Sequence, residues 1–314
     1  MPERIVSLLP SATEILCALG LRDRLVGVSH ECDYPADISD LPVVTSSQIA
    51  SGQSSRAIDD QVREHLDGNS ALYSLNNELL RSLAPDLIVT QALCDVCAVS
   101  ARDVEDAACG LATVSEVVNL EPANLQDVFA TIRAVGKAAG VAAQADRLVK
   151  GLEIRLAAVI KRSAAIPPEQ QPSVLMLEWV DPPFNAGHWT PELVGYAGGR
   201  DQLGDAGKPS RTISWAAVRD ADPDVLVIAC CGFGIERTLD DVEALYREAW
   251  WPDLTAVSNG KVFVIDGNHY FNRPGPRLID SMEILGHALH PDVHSLPRGL
   301  EGTFVNVRET LFAS

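Results

Sequence analysis

Pro85-Asp86-Leu87-Ile88-Val89 and Pro223-Asp224-Val225-Leu226-Val227 are one phrase occurring twice in a chain of 314 residues. In each copy a helical pattern runs up to the proline, which cannot extend a helix, and an apolar run follows with no polar alternation. An unbroken run of that length reads as a strand covered on both faces. Working outward, similar runs stand at 5–9, 25–28 and 112–114 around the first copy, and at 174–177 and 262–265 around the second, whose own run extends to 229. Helical patterns separate them. The spacing therefore predicts an α/β chain with parallel sheets flanked by helices.

Between the two sets of strands, residues 124–161 keep apolar residues at helical spacing, interrupted only by Gly136, Gly140 and Gly151, until Pro167-Pro168 and Pro172 stop them. This predicts an N-terminal lobe at 1–120, linking helices at 121–166 and a C-terminal lobe at 167–314, joined by one long rigid helix. A second, partial echo compares Pro10-Ser11-Ala12-Thr13-Glu14 with Trp189-Thr190-Pro191-Glu192-Leu193, both at strand-to-helix turns. In parallel α/β sheets such turns lie at the carboxyl edge, where ligands bind. Two lobes facing one another would line a shared cleft with them.

A net charge of −18 and a 46% apolar fraction describe a globular chain whose surface repels phosphate backbones, so nucleic-acid binding by a basic stripe is excluded. The run at 5–9 is too short for a secretory core, bulky Leu16 precedes Cys17 where a lipoprotein needs a small residue, and no run approaches a membrane span. The expectation is a cytoplasmic chain without stable membrane insertion. Seven cysteines lack the spacing of a disulfide framework. Cys17 and Cys109, among Ala and Leu in helical patterns, read as small buried apolar residues.

The turns carry the candidate chemistry. Ser11-Ala12-Thr13-Glu14 fits a capping box, with direct ligand contact by Ser11 as the alternative. Thr190-Pro191 reads as N-cap and first helical residue. His30-Glu31-Cys32-Asp33-Tyr34-Pro35 follows the second strand and reads either as a polar loop at the ligand edge or as part of a metal site. Gln91 closes the next strand, and Cys94-Asp95-Val96-Cys97 after it forms a C-x-x-C that suits redox chemistry or half of a metal site, with His30 and Cys32 as partners. All five tryptophans lie beyond residue 178; Trp179, Phe184, His188, Trp189 and Phe233 fall on loops after strands, which suits a broad, flat, partly apolar ligand or the packing of the loops themselves. Arg273, in Phe271-Asn272-Arg273-Pro274-Gly275-Pro276-Arg277, would meet an anion at a helix N-terminus or tie its loop to a carboxylate. Phosphate-loop, G-x-S-x-G and H-E-x-x-H motifs are absent, as is G-x-G-x-x-G after the first strand.

Taken together, IVSLLPSATEILCALGLRDRLVGVSHECDYP, LAPDLIVTQ, the linking helix and GHWTPELVGYAGG followed by DPDVLVI resemble the cobalamin-type solute-binding proteins of ABC importers, over roughly residues 3–290. SHECDYP, TQALCDVCAVS and FNRPGPR resemble a cytosolic-looking branch of them. The resemblance implies a two-lobed, helix-joined fold and a corrinoid or iron-chelate ligand held by aromatics. It also implies one permease-docking glutamate per lobe. Glu78, seven residues before Pro85, matches the first; the matching place before Pro223 is Ala216. That absence, with no export signal, argues against a permease partner. The leading expectation is a non-enzymatic protein that holds a cobalamin-like small-molecule ligand in the cleft, with Tyr34, Trp179, Phe184, Trp189 and Phe233 stacking on it and Ser11, Gln91, Cys94, Cys97, His188 and Arg273 as further contacts. The alternatives are an enzyme or redox protein using Cys94 and Cys97, and a metal-ion binder using His30, Cys32, Cys94 and Cys97.

Overall fold

The computed structural model describes residues 1–49, 52–67, 72–91, 101–111 and 114–312. It divides into two compact units, residues 1–122 with 126–152, and residues 123–125 with 153–314. In the first unit four parallel strands lie in the order Leu25–Val28, Ile5–Ser7, Leu87–Thr90, Glu116–Asn119. Ile5, Val6, Leu87, Ile88 and Val89 are fully buried, as their unbroken apolar run requires of central strands. The strand expected at 112–114 is instead Glu116–Asn119, registered Leu87↔Glu116 and Ile88↔Val117; Val114 lies exposed before it. An antiparallel pair, Thr45–Ser47 with Tyr73–Leu75, is added beside this sheet.

The second unit orders Arg200–Asp201, Ser173–Trp179, Val225–Ile228, Val262–Ile265 and Phe304–Asn306, parallel except for the last pair. Its core gathers Leu175, Leu177, Leu226, Ile228 and Val264 around fully buried Trp251, with Trp215 and Trp250 packed against it. Trp179 packs against the same core, so four of the five tryptophans serve it.

The repeated phrase has one structural meaning. The helix Asn77–Leu83 ends at left-handed Ala84 (φ 42°), and the helix Trp215–Ala221 ends at left-handed Asp222 (φ 38°); Pro-Asp and a buried strand follow each. Asp86 then accepts the backbone N–H groups of Glu3 (2.9 Å) and Arg4 (3.0 Å), at the start of the neighbouring strand Ile5–Ser7. Asp224 likewise accepts the N–H (2.8 Å) and Oγ–H (2.7 Å) of Ser173, at the start of Ser173–Trp179. Proline ends the helix, and aspartate pins the next strand beside its neighbour.

The segment read as one linking helix is two, Leu125–Ala138 and Ala142–Ser163. Gly140 takes φ +73°; its N–H bonds Lys137 O and that of Val141 bonds Gly136 O (2.7 Å), a Schellman ending that stops the first helix. Arg155, on the second helix, donates to Asp280 and to Glu283 (2.5 Å) on Leu278–Leu289. Cys17 is half-buried, its thiol pushed up to about 11 mainly by burial. Cys109, expected inside, is exposed at the last position of Ala101–Cys109, on the outer side of that helix. No helix among the described residues is long and apolar enough to cross a membrane.

Candidate functional site

The carboxyl edge of the first unit's sheet is polar. Thr13 donates to Ser7 Oγ (2.8 Å), Ser7 donates to Leu9 O (3.0 Å), and Cys32 Sγ lies 3.1 Å from Thr13 Oγ1. Beside them His30 Nδ1 contacts Thr45 Oγ1 (2.7 Å), Tyr73 OH donates to Glu31 Oε1 (3.0 Å), and the His30 and Tyr73 rings pack at 5.2 Å. Burial holds His30 below its ordinary pKa, against the opposing pull of Glu31. The capping box is not formed: Pro10 already opens the helix, Leu9 is the N-cap, and Ser11 sits one residue inside. Its Oγ is buried with no partner, as is Thr90 Oγ1 at the end of its strand. Two buried hydroxyls without partners are uncommon, since a buried polar atom costs free energy when left unpaired. Gln91 follows Thr90 and is buried, whereas Tyr34 is 45% exposed on the loop beyond Cys32. Cys94 and Cys97 lie outside the described residues. Among the described residues no group of three or more His, Cys, Asp or Glu is gathered that could hold a metal ion.

The edge of the second unit is aromatic. Trp179 closes its strand and packs on Phe233 at 4.7 Å, in the loop after Val225–Ile228; Arg237 lies over Phe233 at 4.4 Å. Phe184 is the register partner of Trp179 on the returning strand Phe184–Asn185. His188 stacks on Trp189 at 5.3 Å in a left-handed conformation (φ 49°), its Nε2 buried without a partner and its pKa held down by burial. Trp189 is only 5% exposed and its indole N–H donates to Phe271 O (2.6 Å), so here it joins two loops together. It is also the N-cap; the helix begins at Thr190, one residue earlier than expected, because the Thr190 hydroxyl bonds the Glu178 carboxyl instead of a backbone N–H. Arg273 is 8% exposed and donates to Asn268 Oδ1 (2.9 Å), a side-chain amide where an anion or a carboxylate was expected.

Sequence reasoning missed two groups here. Glu178 accepts the Gly187 N–H (2.9 Å) and bonds Ser210 and Thr190, while burial pushes its carboxyl above the usual range. The available signal was a lone acid ending an apolar strand. Asp266 accepts the N–H groups of Asn268 and His269 (both 3.0 Å) and meets His269 Nδ1 at 2.7 Å. An Asp-x-x-His spacing directly after a strand was the signal there.

Glu78 and Ala216 occupy the same place in the two units. Each is exposed, two residues beyond a capping side chain (Asn76, Ser214) and six before the left-handed residue that ends its helix.

The fold is thus two α/β units, each a parallel sheet with a carboxyl edge formed by strand-to-helix turns. The chain belongs to the periplasmic binding protein family, whose model matches residues 5–268. It is 26% identical over 302 residues to the ABC transporter substrate-binding lipoprotein YvrC of Bacillus subtilis, covering 93% of this chain and 81% of that one. The vitamin B12-binding protein of Vibrio cholerae is 25% identical over 284 residues, 90% of this chain and 87% of its own. The periplasmic heme-binding protein RhuT of Roseiflexus shares the fold at a TM-score of 0.68 and 23% identity, covering 93% of this chain and 99% of that structure. These relatives give no support to setting the chain apart from a permease, and none to the enzyme alternative.

Proposed function

We propose that this solute-binding protein takes a corrinoid or a related flat metal chelate. The observation that carries this reading is the half-buried Trp179–Phe233 pair, at a strand end and in the adjoining loop at the carboxyl edge of the second unit. Aromatic faces held in that way offer stacking area at small entropic cost, and they suit a broad macrocycle better than a small polar solute. Relatives named for vitamin B12 and heme support the same ligand class.

Native mass spectrometry of the protein from its own host tests this proposal. A retained mass of corrinoid or porphyrin size supports it; a retained small sugar, amino acid or peptide contradicts it.

A further inference from the structure

Glu178 sits where three pieces of the second unit's edge meet. Leu177 pairs with Asn185 and Trp179 with Phe184, so Glu178 is the extra residue of a bulge between them. Bulges re-aim a side chain from the direction its strand would give it. The Glu178 backbone carbonyl accepts the Cys231 N–H (3.0 Å), on the loop that carries Phe233. Its carboxyl accepts the Gly187 N–H (2.9 Å) and bonds Ser210 and Thr190. Both loops are fixed on their far sides. Asn268 N–H donates to Phe233 O (2.9 Å), and Gly267 lies so close to the Cys230 carbonyl that no Cβ fits between them. Gly187 lies as tightly on the backbone of Lys208, Pro209 and Ser210. One residue thus joins the strand of Trp179 to the loop of Phe233 and to the loop running from Phe184 to His188.

Among the described residues the carboxyl has hydrogen-bonding partners around it but no cation acting on it. Burial favours the neutral form of His188, Glu192 takes the Leu125 N–H (3.3 Å), and Lys208 and Arg211 act on Asp205. Burial pushes the Cys230 thiol up, and Cys231 stands exposed. Part of Glu178 reaches the surface, whereas Gly187 and Thr190 are buried. The neutral acid fits this place, because it accepts from Gly187 and keeps a proton to donate to a hydroxyl. The carboxylate does not: no positive charge offsets its burial, and solvent lies within reach of the side chain.

We infer that Glu178 is the positioning residue of the aromatic edge. Protonated, it holds the loop of Phe184 against the strand of Trp179; ionised, it turns to water and releases that loop, so ligand affinity falls as pH rises. The hold is complete below the ordinary carboxylate range and is lost as pH climbs through the higher value that burial gives this group. The inference takes its ligand from the class proposed above.

The test uses the full chain in two arms. Without ligand, hydrogen exchange read by mass spectrometry follows the amides of residues 184–190, each rate divided by its intrinsic rate at that pH. Wild-type protection should fall about tenfold as pH rises from the carboxylate range to mild alkalinity, and Glu178→Gln, which needs no proton to stay neutral, should keep it throughout. With ligand, tryptophan quenching by aquocobinamide and hemin gives affinity over the same range. Wild-type affinity for at least one probe should fall about tenfold relative to Glu178→Gln, a ratio that cancels titration of the probe itself. Glu178→Ala should bind about tenfold more weakly than the glutamine variant at every pH; where it does not fold, the glutamine variant carries the test alone. One shared pH profile for the wild type and Glu178→Gln in exchange and in affinity overturns the inference and assigns any slope to another group such as His188. A wild type that neither probe quenches overturns the ligand class, while the exchange arm still decides the role of Glu178.

Discussion

The carboxyl edges of the two units share one scaffold and differ in chemistry. Both rest on a helix ended by a left-handed residue, a Pro-Asp turn and a buried strand pinned by that aspartate. On this frame the first unit sets out hydroxyls, a thiol and an imidazole: Ser7, Ser11, Thr13, Cys32, His30 and Thr90. The second sets out Trp179 and Phe233, backed by the Glu178 and Asp266 carboxyls. The difference teaches that strand-ending apolar runs specify the frame, while the few residues after each strand specify what it meets. Polar atoms recognise direction; aromatic faces supply area.

The comparison breaks first, if it is to break, at the glycines. Gly267→Ala should lower the unfolding free energy by about 3 kcal/mol, because the obstacle is a backbone carbonyl. Gly27→Ala in the first unit should lower it by about 1 kcal/mol, since its nearest neighbour, Leu83 Cδ1 at 2.9 Å, is a side-chain end that can give way. Equal losses in urea unfolding would remove this asymmetry.

The second unit also carries a histidine seam. Arg162 donates to His294 Nδ1 (3.2 Å), His294 Nε2 bonds Ser163 Oγ (3.0 Å), and His287 Nδ1 bonds His294 O (2.8 Å). Burial above all, then Arg162 and the neighbouring histidines, lower the His294 pKa to about 4. The unfolded chain then binds more protons than the folded one between pH 6.5 and 4. Stability from this group is complete above 6.5 and falls by about 2–3 kcal/mol as pH drops to 4. His294→Gln should flatten the stability profile over that window; an unchanged slope would assign the acid sensitivity elsewhere.

Asp224→Ala should cost about 2 kcal/mol and Asp86→Ala about 1 kcal/mol, because Asp224 holds a side-chain hydroxyl as well as a backbone N–H while the partners of Asp86 are exposed. Thermal unfolding of the pair checks this ratio, and the reverse order would make the two turns unequal in the other direction. Trp179→Ala should weaken binding of a macrocyclic ligand about tenfold, measured by titration calorimetry. The smallest effect is at Thr90→Val, where removing a buried hydroxyl with no partner should raise stability by about 0.5 kcal/mol in urea unfolding.

Most of the fold was legible in the sequence because buried parallel strands are short apolar runs and prolines mark where helices stop. The strands Leu25–Val28, Leu87–Thr90 and Val262–Ile265 stand where their runs do. Failures came where a local signal competed with another. Ser11 looks like a cap, but Pro10 before it can begin the helix and does. The pattern at 124–161 looks continuous, but Gly140 adopts the left-handed turn that a Schellman ending needs. Strand Glu116–Asn119 is half-exposed at the sheet margin, so its apolar signal is weak. The site was legible only in part. Trp179 and Phe233 could be picked from their places at and after strand ends, yet their contact joins residues 54 apart in the chain. Glu178 and Asp266 are single acids whose meaning comes from backbone N–H groups brought to them by folding.

The central claim is that the aromatic edge of the second unit stacks on a flat metal chelate. Titration calorimetry of the wild-type chain and Phe233→Ala with aquocobinamide and hemin tests it most directly. The account predicts saturable one-to-one binding of at least one of them to the wild type, weakened about tenfold in the variant. No heat from either ligand at high-micromolar concentration, or equal affinity in wild type and variant, would contradict it.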